Sequence, residues 1–402
     1  MGTPEDLARP LSLRSPGSDW PQLIAVSALV ALASLPLLWR LCNAGQDALN
    51  TDQPKHIELA MEIAQTGNPK LPHPLFFWVV GTITPDHQYA TAVYTTTALL
   101  TVCVFLTVLI TAWILKQTLP SISWCGLTLL CIALTVAMPW PNWWNLPNIY
   151  LGQVSPNCWH NSTTTFTMPL AILLYLLCLS TLTRPTVPRM AAVGVVMSVT
   201  MLAKPNYVFC LGPIYAVMLA WRWWQELQAK RLTIVDIITQ LTAGVLLPLM
   251  VFGWQMDRLS QEILEQGSSS IVWDPLHLWK LWSPNITVSI LLGIAFPLYV
   301  AARYCESAAK DIGFVLCWLV LLVALAMFAL FIESGFRKTH GNLWWGILFA
   351  DHMLFLATAT FLLRQPPSWD RIVAWTLLGA HAGMGIYYAA RCIKEPQFAT
   401  LH

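Results

Sequence analysis

Eleven stretches of apolar residues recur along the chain, near positions 21–42, 90–115, 122–140, 166–183, 190–204, 207–224, 234–254, 285–303, 312–332, 343–363 and 372–390. An α-helix needs about 20 apolar residues to cross the hydrocarbon core of a bilayer. Inside lipid, only helices and closed barrels satisfy every backbone polar group. The pattern predicts an all-α fold: a polytopic transmembrane helical bundle of about 11 spans, forming one transmembrane domain over residues 1–402. With 56% hydrophobic and only 10% charged side chains, the chain cannot close a soluble surface, which carries about 25% charged residues. The 21 Trp and 27 Pro suit helices that are anchored by interfacial aromatics and interrupted by imino acids. One ambiguity lies at Lys204-Pro205-Asn206, which either separates two short spans or breaks one long one.

Residues 1–20 are polar and broken by Pro10 and Pro16, with no secretory cleavage site, so they are expected to remain as a cytoplasmic tail. If the spans then alternate, the cytoplasmic segments hold 12 Lys and Arg against 10 on the other side, a small excess in the positive-inside sense. The long hydrophilic segments 43–89, 141–165, 255–284 and 333–342 all fall on the exoplasmic side. Chemistry is therefore expected at the outer face of a multi-pass protein, as in a bacterial inner or plasma membrane. No internal repeat stands out.

The first outer loop carries Asp47, Asp52, His56 and His73. Pro54 near a helix start, apolar Ile57, Ala60, Met61 and Ala64, and Gly67 before Pro69 delimit a short amphipathic helix, which would lie along the membrane surface. Asp52 sits at its N-terminal edge, where the helix dipole favours a carboxylate. The same position also suits a mere cap, and the pattern does not separate the two. In the second loop, Trp143, Trp144, Gln153, Asn157, Trp159, His160 and Asn161 interleave aromatic faces with amides, which sugars need for stacking and hydrogen bonding. An interfacial tryptophan belt explains Trp143 and Trp144, but not His160-Asn161.

Two cationic spots complete the set. Lys204 lies beside Pro205 at the outer end of its span, where a cation needs a partner or an anion. The segment from Glu333 to Asn342 packs Glu333, Arg337, Lys338 and His340 between glycines. There an Arg–His pair suits a phosphate, although Lys338 fits simple snorkelling. Asp351-His352 lies mid-membrane and is flagged as functional, whereas His381 reads as a satisfied interior histidine. Most of the ten cysteines fall in apolar runs and read as packing residues; a Cys42–Cys158 bridge is the weaker reading. Asn161-Ser162-Thr163 and Asn285-Ile286-Thr287 are sequons on the outer side. No P-loop, dinucleotide fingerprint or DxD motif occurs, and nothing points to nucleic acid. A sugar donor would have to arrive as a lipid phosphate.

Taken together, the chain resembles the GT-C superfamily of integral membrane glycosyltransferases, which use polyprenyl-phosphate-linked sugars. The resemblance rests on a first span followed by a long outer loop with Asp47, Asp52, His56-Ile-Glu-Leu-Ala and His73-Pro-Leu, and on the Leu-Ala-Lys204-Pro205 break. It extends over the whole topology through loose motifs. The large C-terminal exoplasmic domain of many members is missing, which leaves the acceptor open among glycan, lipid and protein. The resemblance implies inverting transfer, with a first-loop carboxylate as general base and cations or a divalent metal neutralising the departing phosphate. Carried onto this chain, Asp52 is the base, with Asp47 in reserve. Lys204, Arg337 and His340 bind phosphate, and His56, His73, Gln153, Asn157, His160 and Glu333 line the pocket. A polysaccharide polymerase or ligase, and a transporter or flippase of a lipid-linked or anionic solute, are the rival classes. The transporter should show paired helix interruptions in two halves, and none is visible.

Overall fold

The computed structural model describes residues 19–44, 51–68, 71–140, 152–266, 270–283 and 285–395. In chain order the first helices are α1 (Trp20–Cys42), α2 (Asp52–Thr66), α3 (Leu75–Ile83), α4 (Tyr89–Thr118) and α5 (Trp124–Val136). There follow α6 (Ser162–Thr183), α7 (Val187–Ala203), α8 (Asn206–Gln228) and α9 (Ile234–Gln266). Strand β1 (Ile271–Trp273), α10 (His277–Trp282), α11 (Ile286–Gly293), α12 (Ala295–Arg303) and α13 (Cys305–Ala308) come next. The chain ends with α14 (Ile312–Leu330), β2 (Phe331–Glu333), α15 (Trp345–Leu363) and α16 (Trp369–Lys394).

Among the described residues, six helices are long and apolar enough to cross a membrane: α1, α4, α6, the Ile234–Gln261 part of α9, α14, and Asn342–Leu363, which contains α15. The pair α11 and α12, bent by 73°, makes a seventh if it counts as one span. The fold is thus an all-α membrane bundle with fewer full-length crossings than apolar stretches. Part of the difference arises where apolar runs do not continue as one helix; the runs at 207–224 and 372–390 do form the continuous helices α8 and α16, which are long enough but too polar. The run at 122–140 is helical only over the 13 residues of α5. The run at 190–204 yields the 17-residue α7, which stops at Lys204 in extended backbone before Pro205, because proline disfavours a helical residue ahead of it.

Helix α15 is the hub: 94% of its apolar window is buried, against 17% for α9, which packs on α7 at the rim. Around α15 stand α14, α8, α4, α6 and α12, while α1 packs against α4 and α16 against α5. Threonine hydroxyls in the bundle, such as those of Thr97, Thr107 and Thr358, donate to carbonyls four residues earlier, which satisfies them without water. At one end of the bundle Arg303 pairs with Asp370 at 2.8 Å and Arg364 with Asp311. At the same ends of α8 and α6, Arg222 reaches Glu226 at 2.7 Å and the Thr183 carbonyl at 3.1 Å. The opposite helix ends carry the site described below.

α16 and the chain after α5 are tied twice: Met138 N donates to the His381 carbonyl at 3.1 Å, and His381 Nδ1 lies 2.8 Å from the Met138 carbonyl. His381 is therefore an interior tie. Beside it, Gly385 lets the helices touch, because a Cβ there would overlap the Val136 carbonyl. Gly385→Ala should accordingly cost about 1–3 kcal/mol as overpacking, seen as a lower melting temperature in detergent. An unchanged melting temperature would show that α5 and α16 can part without cost. Cys42 and Cys158 are both free thiols.

Candidate functional site

Helix α2 starts where Thr51 accepts from the Gln53 amide at 3.4 Å, and it ends where Gly67 turns left-handed with φ 68°, a conformation that costs glycine little. Its buried face is Ile57, Ala60, Met61 and Ile63. The first turn is stitched to the segment before α6. Asp52 N and Thr51 Oγ1 both donate to the His160 carbonyl at 3.2 Å, and Gln53 Nε2 donates to the Trp159 carbonyl at 2.7 Å. Two segments more than a hundred residues apart thereby present Asp52 beside His160.

Asn161 is the pivot. As the N-cap of α6, its Oδ1 accepts from Thr164 N at 3.0 Å and from the Thr163 and Thr164 hydroxyls at 2.7 and 2.9 Å. Lys204 Nζ donates to the same Oδ1 at 2.8 Å. Four donors on Oδ1 fix the amide orientation, and Nδ2 then donates to Asp52 Oδ2 at 2.6 Å. Lys204 is buried, with 4% exposure. Its other two N–H groups go to Thr163 Oγ1 at 3.0 Å and Thr164 Oγ1 at 2.9 Å, and its ammonium lies 4.0 Å from the Trp345 ring centroid. Neutral oxygens and an aromatic face thus hold this cation, and all three of its donors are used.

Asp52 keeps 43% side-chain exposure. Burial pushes its carboxyl up, but His160, His56, the Asn161 hydrogen bond and Lys204 together outweigh this and hold it below the usual carboxylate range. His160 Nε2 is 3.8 Å from Asp52 Oδ2, and His160 Nδ1 is 2.9 Å from Cys158 Sγ. His56 Nδ1 shares a hydrogen with Ser162 Oγ at 2.6 Å. Burial depresses His160 and His56 to about 4 and His73 to about 3. At neutral pH the group is therefore one anion among neutral imidazoles, backed by Lys204, which burial pushes down to about 7 against the pull of Asp52.

For His160, which is only 3% exposed, the unfolded chain takes up a proton near pH 6.5 that the folded chain refuses until about 4. Stability from this group is complete above pH 6.5 and is lost as pH falls toward 4, at up to about 1.4 kcal/mol per pH unit. His160→Gln should flatten the loss of melting temperature between pH 7 and pH 5. An equally steep loss in the variant would contradict a neutral buried His160.

The second group is Glu333, Arg337 and Asn342. Arg337 Nη1 is 3.8 Å from Glu333 Oε1, Asn342 Nδ2 donates to Glu333 Oε2 at 2.7 Å, and Asn206 Nδ2 donates to the Asn342 carbonyl at 2.6 Å. Asn206 begins α8 two residues after Lys204, so the two groups share one end of the bundle. His73 links them electrostatically, since it feels Lys204, His56 and Arg337. His340 is exposed, and its backbone N–H donates to the Arg337 carbonyl.

Gln153 is buried, and Asn157 spends its amide on the carbonyls of Leu134 and Ala137 at 3.0 and 2.9 Å. Asn157, Cys158, Thr164 and His352 line a cavity of about 40 Å³ beneath the segment, which has room for a few waters and none for a sugar ring. His352 Nδ1 lies 3.1 Å from the Pro156 carbonyl, and among the described residues neither oxygen of the fully buried Asp351 has a hydrogen-bond partner. Asp47, Trp143 and Trp144 lie outside the described residues. Among the described residues, no group of three or more His, Cys, Asp or Glu side chains could hold a metal ion, so no divalent site is assigned. Sequence reasoning missed Asn161 as a pivot, together with Ser162, Thr163, Thr164 and Trp345. The available signal is the Asn-Ser-Thr-Thr-Thr run at the mouth of a span, which reads as a sequon and as part of a sugar-binding surface but does not reveal Asn161 as the link between Lys204 and Asp52. At 3% exposure, Asn161 cannot carry a glycan in the folded chain. Comparison of the chain with protein-family models, with curated proteins and with solved structures finds no match.

Proposed function

We propose that the chain is an inverting membrane glycosyltransferase that moves a sugar from a polyprenyl-phosphate donor to an acceptor hydroxyl at the exoplasmic face. The observation that carries this reading is Asp52: an ionised, part-exposed carboxylate with Oδ2 held by Asn161 at 2.6 Å and, among the described residues, no hydrogen bond on Oδ1. A general base needs one immobilised oxygen and one free to take the proton. In the proposed step the acceptor O–H proton passes to Asp52 Oδ1 while the acceptor oxygen bonds to the sugar C1. The C1–O bond to phosphate breaks on the opposite side, and its electron pair leaves with the polyprenyl phosphate.

Arg337, oriented by Glu333 at 3.8 Å, supplies the cationic fork for that phosphate, and His340 in the same turn a ring N–H donor. Lys204, whose donors are already used, contributes charge and orientation from behind Asn161. His56, His73 and His160 border the acceptor, while the buried Gln153 and Asn157 support the floor. In this reading α5, α7 and the other apolar stretches are further crossings, about eleven in all. α2, whose apolar face is packed inside the protein rather than turned to lipid, then stands at the outer end of the bundle. Mass spectrometry of lipids that co-purify with the protein tests the reading. Enrichment of polyprenyl phosphate, or of its glycosylated form, over bulk membrane extract is expected. A lipid complement equal to the bulk extract would contradict it.

A further inference from the structure

We propose that the β1–β2 sheet is a membrane-inserted wedge whose Ile271, Trp273 and Phe331 face beds into the leaflet on the site side of the bundle. The inference concerns an interaction surface and holds whatever reaction the site performs. The sheet is antiparallel, with Ile271 opposite Glu333, Val272 opposite Ile332 and Trp273 opposite Phe331. Paired residues share a face. Val272 and Ile332 therefore lie on one face, with Ile332 buried at 3%, and Ile271, Trp273, Phe331 and Glu333 lie on the other.

That second face is uncovered: Ile271 is 65% exposed, Trp273 63% and Phe331 37%. The Trp273 and Phe331 rings meet edge-to-face at 5.5 Å. What covers this face follows from where the sheet starts. β2 begins at the residue after α14, and Asp274 N and Leu276 N donate to the carbonyls of Leu330 and Ala329 in the last turn of that helix. This end of the sheet thus lies level with the end of a membrane-crossing helix. The 19 residues of α14 reach about 28 Å at the α-helical rise, close to the ~30 Å hydrocarbon core. Phe331 and its partner Trp273 then stand at the edge of the core, and Glu333 and its partner Ile271 lie about 7 Å farther out at the strand rise, in the headgroup layer.

Polarity follows the same gradient. Trp273 and Phe331 occupy the depth where aromatic belts form, Glu333 meets Arg337 at the watery end, and Lys280 is exposed beside an exposed Leu281 on α10. β2 runs on directly from α14, which itself exposes Leu322 at 54%. An exposed apolar face on a sheet that runs on from a spanning helix fits a lipid surface.

The test attaches a polarity-sensitive fluorophore to single cysteines at Ile271→Cys, Trp273→Cys and Thr339→Cys, after Cys125→Ser and Cys305→Ser remove the exposed thiols found among the described residues. The full chain is placed in nanodiscs of phosphatidylcholine and phosphatidylglycerol, with or without lipid spin-labelled near the headgroup. Spin-labelled lipid should remove most of the emission at 273 and much of that at 271, which lies at headgroup depth, and aqueous iodide should spare 273. The reverse is expected at 339. Quenching of 271 and 273 by iodide alone would place the face in water. Protection from both quenchers would mean that protein, such as a second copy, covers it. Either result overturns the proposal. Both tested positions are exposed, and monodisperse elution of the labelled chains confirms folding.

Discussion

Asp52→Asn should reduce sugar transfer by about 10²–10⁴-fold, the usual cost of removing a general base, while leaving the melting temperature nearly unchanged. The substitution keeps size and keeps an oxygen for Asn161 Nδ2 at its 2.6 Å contact, so the first turn of α2 stays stitched to the segment before α6. What disappears is the basic oxygen. Measuring turnover and thermal unfolding on the same preparation separates the two effects. Near-normal turnover in Asp52→Asn would remove Asp52 as the base and move attention to Asp47.

Lys204→Met should damage both stability and rate. The methionine keeps the length and the contact with Trp345, but it removes three buried hydrogen bonds, to Asn161, Thr163 and Thr164. Loss of buried donors costs about 1–3 kcal/mol for each group left unsatisfied. The threonine hydroxyls still donate to Asn161 Oδ1, so the total should fall toward the lower end. The effect on rate arises through Asn161: with a looser amide, Asp52 is no longer held, and a displacement of about 1 Å costs about 10²-fold. A falling kcat with little change in donor KM is expected, since Lys204 has no N–H left for a phosphate. A change confined to donor KM would instead make it a direct phosphate ligand.

The bundle itself was legible because long apolar runs specify their own helices: α1, α4 and α14 follow almost residue for residue from the stretches at 21–42, 90–115 and 312–332. Helix ends were harder to place. Apolar content does not say that helix stops at Val136 although the run continues to 140, whereas Pro205 is a local signal and did mark the break after α7. In the site, Asp52, His56 and His160 stood out as ionisable groups in the long hydrophilic loops and Lys204 as a cation at a helix break, and the structure brings these four together. The pivot did not stand out, because a neutral Asn161 gains its meaning from Lys204, 43 residues later, and from Asp52, 109 residues earlier. Lys204 illustrates the converse limit. A cation at a helix break calls for a partner, but sequence does not reveal that three side-chain oxygens and Trp345 already serve as one.

The central claim is a lipid-phosphate sugar transfer dependent on Asp52, and one measurement addresses it most directly. Wild type and Asp52→Asn are reconstituted in liposomes containing the polyprenyl-linked lipid fraction of the source membrane, and release of polyprenyl phosphate is followed by mass spectrometry. The wild type should convert the glycosylated lipid to polyprenyl phosphate together with a new glycosidic product, and Asp52→Asn should do so at least about 10²-fold more slowly. Donor lipid left intact by the wild type, or moved between leaflets without loss of its sugar, would contradict a transferase and favour a flippase.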